Sequence, residues 1–119
     1  MVLVTQLPSG FLTTTETQLD GYRIMERYGV VRGITVRSRS AVGLFGAKVQ
    51  QFFGGDISLL TELCEETRAA AFAQCIEHAQ QLGANALVGV RYDATEIMSG
   101  VSEVLCYGTA MRVVPASRS

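Results

Sequence analysis

The sequence contains no tryptophan, two prolines and a single histidine among its 119 residues. It also has no excess of either charge: 10 basic and 11 acidic side chains leave a formal net charge of −1, which creates no field to gather phosphate backbones or an anionic membrane surface. No apolar run reaches the roughly 20 residues of a membrane span, and the N-terminus lacks the features of a secretory signal. We therefore expect a cytoplasmic protein that binds neither nucleic acid nor membranes.

Motifs of common catalytic chemistry are also missing. The sequence has no Gly-Lys-Ser/Thr phosphate loop, no Gly-x-Gly-x-x-Gly fingerprint and no Gly-x-Ser-x-Gly turn, and one histidine within a helix is a poor start for a catalytic triad. The three cysteines are an odd number without paired spacing, which favours reduced thiols over a disulfide framework. We predict that the protein is not an enzyme.

The composition that remains is that of a globular protein, since 48% of the residues are hydrophobic. A chain of this length normally forms one core. We predict one domain over residues 1–119, with its core at about 12–114 and short flexible termini.

Residues 22–38 are rich in Val, Ile, Thr and Tyr, which predicts a strand or a pair of strands. Gly29 and Gly33 are candidates for bends or bulges within this segment. Two further β-type runs, at 84–97 and 101–114, are joined near residues 98–100 by a plausible tight hairpin turn.

Between these strands, strong helix formers predict one long helix. Asp56 or Ser58 would be its N-cap, and the helix would continue to Leu82 because Gly83 is of the residue type favoured just past a helix end. The predicted fold class is α+β, with this helix packed on a small antiparallel sheet.

Surplus apolar surface predicts self-association. In the last strand both faces are apolar, whereas one helix covers only one face. The connection over residues 40–55 also carries apolar side chains that need cover, either from their own core or from a neighbouring subunit. The residues in question are Val101, Leu105, Tyr107 and Met111 on one face, Val104, Cys106, Ala110 and Val114 on the other, and Leu44, Phe45, Val49, Phe52 and Phe53 in the connection.

Cys75 and His78 are the first candidates for a metal site, as an i,i+3 pair on the helix. A closed zinc site needs four ligands and a catalytic one three, so one chain would supply half a site, to be completed between subunits. The alternative, which we favour, is that Cys75 belongs to the apolar stripe of the helix while His78 lies at the rim. Cys106 could approach Cys75 if its strand packs under the helix. The predicted stripe is Ile57, Cys64, Ala71, Phe72, Cys75, Ala79 and Leu82.

Arg68 and the Gly54–Gly55 pair are candidates for ligand or interface roles. Arg68 falls inside the apolar stripe and therefore needs a partner, for which Glu26, Glu103 or a neighbouring subunit are the options. Gly54 and Gly55 precede the helix and could present backbone amides to an anion, although we favour a flexible connection that ends in a capped helix.

Several segments resemble the YbjQ-like family of small bacterial proteins: YGVVRG at 28–33, FFGGD at 52–56, Arg68 with Ala71, and LGANALVGV at 82–90. The resemblance implies a dodecin-like α+β subunit in a ring-shaped homopentamer, and a family that is described as heavy-metal-binding and whose function is unknown. Family members often carry Glu at the position of Ile34 and Tyr-Glu at the position of Leu60-Thr61, so acidic groups common in the family are absent from this chain.

These observations together predict a homo-oligomeric binding or scaffold protein, pentameric by resemblance. One alternative is a metal-binding protein that uses Cys75, His78 or inter-subunit carboxylates, with a heavy-metal ion as its ligand. The other is an enzyme with a small-molecule site at the subunit interface, for which a polar pocket with perturbed titratable groups is expected.

Overall fold

The computed structural model describes residues 5–37, 57–99 and 101–116, with helix side chains from residue 61 onward. Within them the chain is α+β, as predicted, with one helix packed on a sheet whose strand order is β1-β2-β4-β5-β3. In chain order the elements are β1 Thr5–Gln6, β2 Leu12–Thr13, β3 Tyr22–Arg37, α1 Ile57–Gln81, β4 Ala86–Met98 and β5 Val101–Pro115. None of the helical residues described could form a span across a membrane.

The three long strands form the predicted small antiparallel sheet, and a parallel pairing with a short strand makes the whole sheet mixed. Strand β2 pairs in parallel with β4, through Leu12 with Ala86 and Thr13 with Leu87, while β3–β5 and β4–β5 are antiparallel. Strands β1 and β2 were not predicted, because two residues are too few to show the alternation of apolar and polar side chains that is typical of a strand. The predicted hairpin is confirmed, since Met98 at the end of β4 pairs with Val101 at the start of β5.

The C-terminal end of α1 is as predicted. Gly83 has a φ of 96°, and two backbone hydrogen bonds close the last turn, from Gly83 N to Gln80 O at 2.9 Å and from Ala84 N to Ala79 O at 3.1 Å. This pair of bonds is the Schellman arrangement, which needs a left-handed residue and therefore favours glycine. At the other end the helix begins at Ile57, so Ser58 lies within it, and Asp56 lies outside the described residues, as does the apolar connection.

The two glycines of β3 have different roles. Gly29 has a φ of 96° at a register shift between Arg27 and Gly29, which confirms a bulge there. Gly33 is instead a point of close approach between strand and helix. A Cβ atom at Gly33 would fall against the carbonyl oxygen of Ala71 and 2.5 Å from the backbone nitrogen of Cys75.

This close approach leaves little room for side chains on the buried face of α1. Its buried residues are Thr67, Ala71, Cys75, Ile76 and Ala79, and most of them are small, as backbone proximity requires. The prediction placed Cys64 and Leu82 in the stripe and omitted Ile76 and Thr67. Cys64 is exposed and Leu82 is 49% exposed. Both have the angular position of the stripe, but they lie beyond the stretch 67–79 that contains the buried side chains.

The sheet face away from α1 is partly covered by the chain itself. Leu19, in the segment between β2 and β3, is buried against side chains of the central strands, so this part of the face needs no partner. The buried residues of this second cluster are Leu12, Leu19, Ala86, Val88, Met111 and Val113. The predicted alternation in β5 holds, since Cys106 and Ala110 belong to the helix-side cluster and Met111 to the other.

Asn85 joins the sheet at the start of β4. Its side chain accepts a hydrogen bond from Val113 N at 2.8 Å and donates one to Val113 O at 2.9 Å. Its backbone donates to Met111 O and accepts from Leu12 N, both at 3.0 Å. One residue therefore holds β2, β4 and β5 in register.

Replacing Asn85 by alanine removes both side-chain hydrogen bonds and leaves the Val113 amide and carbonyl without them. We expect a loss of about 2 kcal/mol in the free energy of unfolding, about 1 kcal/mol for each bond. Urea denaturation at a fixed protein concentration measures it. Asn85→Asp is the companion variant: it can still accept from Val113 N but cannot donate to Val113 O, so stability equal to that of wild type would contradict this account.

Candidate functional site

Two helix side chains cover the outer edge of β3. His78 Nδ1 lies 2.6 Å from Arg32 O, and Gln74 Oε1 accepts a hydrogen bond from Ile34 N at 2.6 Å. Because a carbonyl oxygen only accepts, Nδ1 carries the proton in this contact, and Nε2 is the remaining ring nitrogen. Side chains that occupy the polar groups of an edge strand also block its pairing with another strand.

The side chains of the candidate pair, Cys75 and His78, therefore lie in different environments. Cys75 is fully buried, with its Sγ atom 3.7 Å from Val31 O, whereas His78 is exposed on the flank of the helix. In the part of the chain that the structure describes, no three side chains among His, Cys, Asp and Glu come together. The other ligand candidates, Gly54 and Gly55, lie outside it.

Cys106 comes close to Cys75. It pairs with Gly33 across β3–β5, and Gly33 is the residue over which the helix backbone passes at Cys75. The two thiols lie close enough for each to shift the pKa of the other, and neither belongs to a disulfide. Both are fully buried. The condition set from the sequence, that the last strand pack under the helix, is met.

Tyr92 completes this cluster from the other side. It is the cross-strand neighbour of Cys106 in β4–β5, and its side chain is close enough to lower the pKa of the Cys106 thiol. Tyr92, Cys106 and Cys75 thus form a line of three polar groups beneath α1. We call these three residues the thiol cluster.

The cluster polarises its two thiols in opposite directions. The hydrogen bond to Cys106 and burial raise the pKa of Cys75 well above its ordinary value. The hydrogen bonds from Cys75 and Tyr92 lower the pKa of Cys106, although burial opposes this effect. Burial and the nearby Cys106 raise the pKa of Tyr92, which keeps its hydroxyl protonated as a donor. Negative charge is therefore best accommodated on the Cys106 sulfur.

Arg68 lies beside the same cluster, but not as predicted. It is exposed, and its guanidinium carbon lies 5.4 Å from the centre of the Tyr92 ring, which is within the range of a cation–π contact. Glu26, one of its predicted partners, faces Arg112 at 4.0 Å instead. An aromatic face thus takes the place of the carboxylate that was predicted as the partner of Arg68.

An open pocket of about 280 Å³ adjoins Tyr92. Four threonines contribute to its wall. The lining residues are Thr5, Thr13, Thr14, Thr15, Phe72, Val90 and Tyr92. Tyr92 thus stands between this pocket and the two buried sulfurs.

The donor set suits soft metal ions, which prefer thiolate ligands. Sequence reasoning identified Cys75 but paired it with His78, its neighbour in sequence, instead of Cys106, its neighbour in space. Cys106 carried a usable signal, since it shares the helix-facing side of β5 with Ala110. Tyr92 carried no such signal, because it lies in the exposed part of β4.

The fold and the cluster define an α+β subunit with soft donor atoms between helix α1 and the sheet. Comparison with known proteins gives the family. Residues 11–114 match the YbjQ family model, which is described as "Putative heavy-metal-binding". The chain belongs to this family, as the resemblance in its sequence had indicated.

Relatives in the same family cover nearly the whole chain. A UPF0145 protein of Solibacter usitatus is 57% identical over 112 residues, which are 94% of this chain and 99% of that protein. A UPF0145 protein of Burkholderia thailandensis is 62% identical over 105 residues, 88% of this chain and 95% of that protein. One from Burkholderia mallei is 59% identical over the same coverage.

Proposed function

We propose that the protein is a cytoplasmic homo-oligomer, a pentameric ring, that binds a heavy-metal ion and does not act as a catalyst. The observation that carries the assembly is an exposed apolar strip on the sheet face away from α1. The metal is proposed from the family description and from the soft donors of the thiol cluster.

The apolar strip lies on neighbouring parts of β3 and β5. Gly33 faces the helix, so alternation turns Val30, Ile34 and Val36 to the opposite face; they are 76%, 38% and 51% exposed. The register places Leu105 opposite Ile34, and Leu105 is only half-buried. Arg32 lies on the same face between Val30 and Ile34, and Glu103 lies opposite Val36, so two charged side chains interrupt the strip. Its exposed apolar side chains favour a protein partner.

The shape of the subunit supports the same proposal. Its Cα radius of gyration is 17.6 Å and its dimensions are 62 × 29 × 21 Å, whereas a compact 100-residue domain has a radius of gyration of about 13 Å. The far half of β4, residues 91–98, is exposed along its length, and so are most residues at 61–66 of α1. Long elements that pack on little within their own chain are expected where neighbours pack on them.

A charge within the strip tests the assembly. We expect Val30→Glu to lower the mass measured by light scattering from that of five subunits toward that of one, because a carboxylate would be buried without a partner at the interface. Ala73→Glu, which adds the same charge at an exposed position of α1, is the control and should leave the mass unchanged. A wild-type protein that is monomeric at micromolar concentration would refute the proposal.

Native mass spectrometry of protein purified from its own cells tests the metal. We expect additional mass equal to a whole number of metal ions, which is lost on treatment with a thiol-competing chelator. A bound organic molecule that the chelator does not remove would favour the alternative, an enzyme with an interface site, for which the threonine-lined pocket would be the place to begin.

A further inference from the structure

We propose that Cys75 and Cys106 form a two-thiolate site for a monovalent soft metal ion, of the class of Cu⁺ and Ag⁺, entered through the threonine-lined pocket. The inference rests on the proposed function, since it names the residues and the class of ion for the metal binding. It differs from the pairing suggested by sequence, because His78 has no part in it.

The donor set determines the class of ion. The two sulfurs come from different elements, α1 and β5, yet both residues are fully buried in the same helix-side cluster and both adjoin Gly33. Within the described ranges no third His, Cys, Asp or Glu joins them, and zinc takes three or four protein ligands. Two thiolates are sufficient for a monovalent soft ion, which also prefers sulfur over oxygen.

Binding would exchange two protons for one ion. Each thiol loses its proton, two sulfur–metal bonds form, both protons leave to solvent, and no change of oxidation state is required. The site passes from neutral to a net charge of −1, so a nearby positive charge is favourable. Arg68 supplies one over the Tyr92 ring, and Tyr92 is the cross-strand neighbour of Cys106.

The pocket provides the approach to the buried pair. Tyr92 is 38% exposed, lines the pocket and contacts Cys106, so a side-chain movement of one residue would connect solvent with the sulfur. The third cysteine is excluded by distance, since Cys64 lies eleven residues before Cys75 on the same helix, about 16 Å along the axis. Cys64 therefore offers a matched control.

Silver provides a probe without redox chemistry. We expect native mass spectrometry of the full chain to show one tightly held Ag⁺ per subunit in wild type and in Cys64→Ser, and none in Cys75→Ser or Cys106→Ser. Tyr92→Phe should retain the ion with an affinity lowered by about 10-fold, the effect typical of losing an outer hydrogen bond to a ligand. Circular dichroism establishes that each variant is folded.

The outcomes separate this inference from the function on which it rests. Serine variants that hold Ag⁺ as tightly as wild type would overturn the site but not metal binding, and a wild-type protein that binds neither Ag⁺ nor Cu⁺ would overturn the site outright. If the serine variants do not fold, X-ray absorption of silver-loaded wild type decides: two sulfur neighbours support the site, and one or none refutes it.

Discussion

Gly33→Ala should lower the free energy of unfolding by about 3 kcal/mol, the upper part of the range for overpacking a core. The added methyl group would fall against the Ala71 carbonyl oxygen and 2.5 Å from the Cys75 nitrogen. Both are backbone atoms of α1, which cannot swing aside as a flexible side chain can. The whole helix has to move away from β3, and the helix-side cluster loosens with it. Chemical denaturation at constant protein concentration measures the loss.

Gly29→Ala separates this contact from backbone strain. Gly29 has a positive φ, but an added Cβ there would meet nothing within 4 Å. We expect a cost of about 1 kcal/mol, that of a left-handed residue with a side chain. If the two variants lose the same stability, the close approach at Gly33 is not what constrains that position. Because Gly33 also lies beside Cys75, its variant should weaken Ag⁺ binding, whereas Gly29→Ala should not.

Leu87→Ala should cost a similar amount, about 3 kcal/mol. Leu87 is fully buried in β4 and fills the space above Gly108, where an added Cβ would lie 3.1 Å from two Leu87 side-chain atoms. Shortening it leaves a cavity in the helix-side cluster that glycine cannot fill. Thermal or urea unfolding, again at matched protein concentration, gives the difference.

Leu82→Ala is the matched control, since the same atoms are removed from a leucine in the same motif. Leu82 was predicted to lie in the buried stripe of α1, but it is 49% exposed. We expect a loss of less than about 1 kcal/mol, as for surface positions generally. A loss at Leu82 as large as that at Leu87 would mean that Leu82 is covered in the assembled protein, which would itself locate an interface.

Local features of the sequence predicted much of the secondary structure. The end of α1 followed from Gly83, because a left-handed residue is needed to close a helix in this way. The β4–β5 hairpin followed from two β-type runs separated by a short polar link. The resemblance to the YbjQ family also followed from local segments, above all LGANALVGV at 82–90. In each case the determining residues are neighbours along the chain.

The structure departs from prediction where the determining contact is distant in sequence. No local feature of the sequence identifies β2 as the parallel partner of β4, since the pairing of a two-residue strand depends on its tertiary contacts. The partner of Arg68 was sought among carboxylates, but the fold places an aromatic ring there. Likewise the sequence indicated Gly33 as a bend or bulge. Its observed role, to let the helix backbone approach the strand, depends on the position of α1 above β3.

The same division applies to the candidate site. The sequence by itself determined that Cys75 lies on the inner side of a long helix, since helical periodicity fixes which residues share a face. It could not determine the partner of Cys75, because 31 residues separate it from Cys106 and only the packing of α1 on β5 brings the two sulfurs together. Tertiary structure decided that the neighbour of Cys75 is a second thiol and not His78. Helix side chains three residues apart diverge by about 60°, whereas side chains that face each other between a helix and a sheet converge.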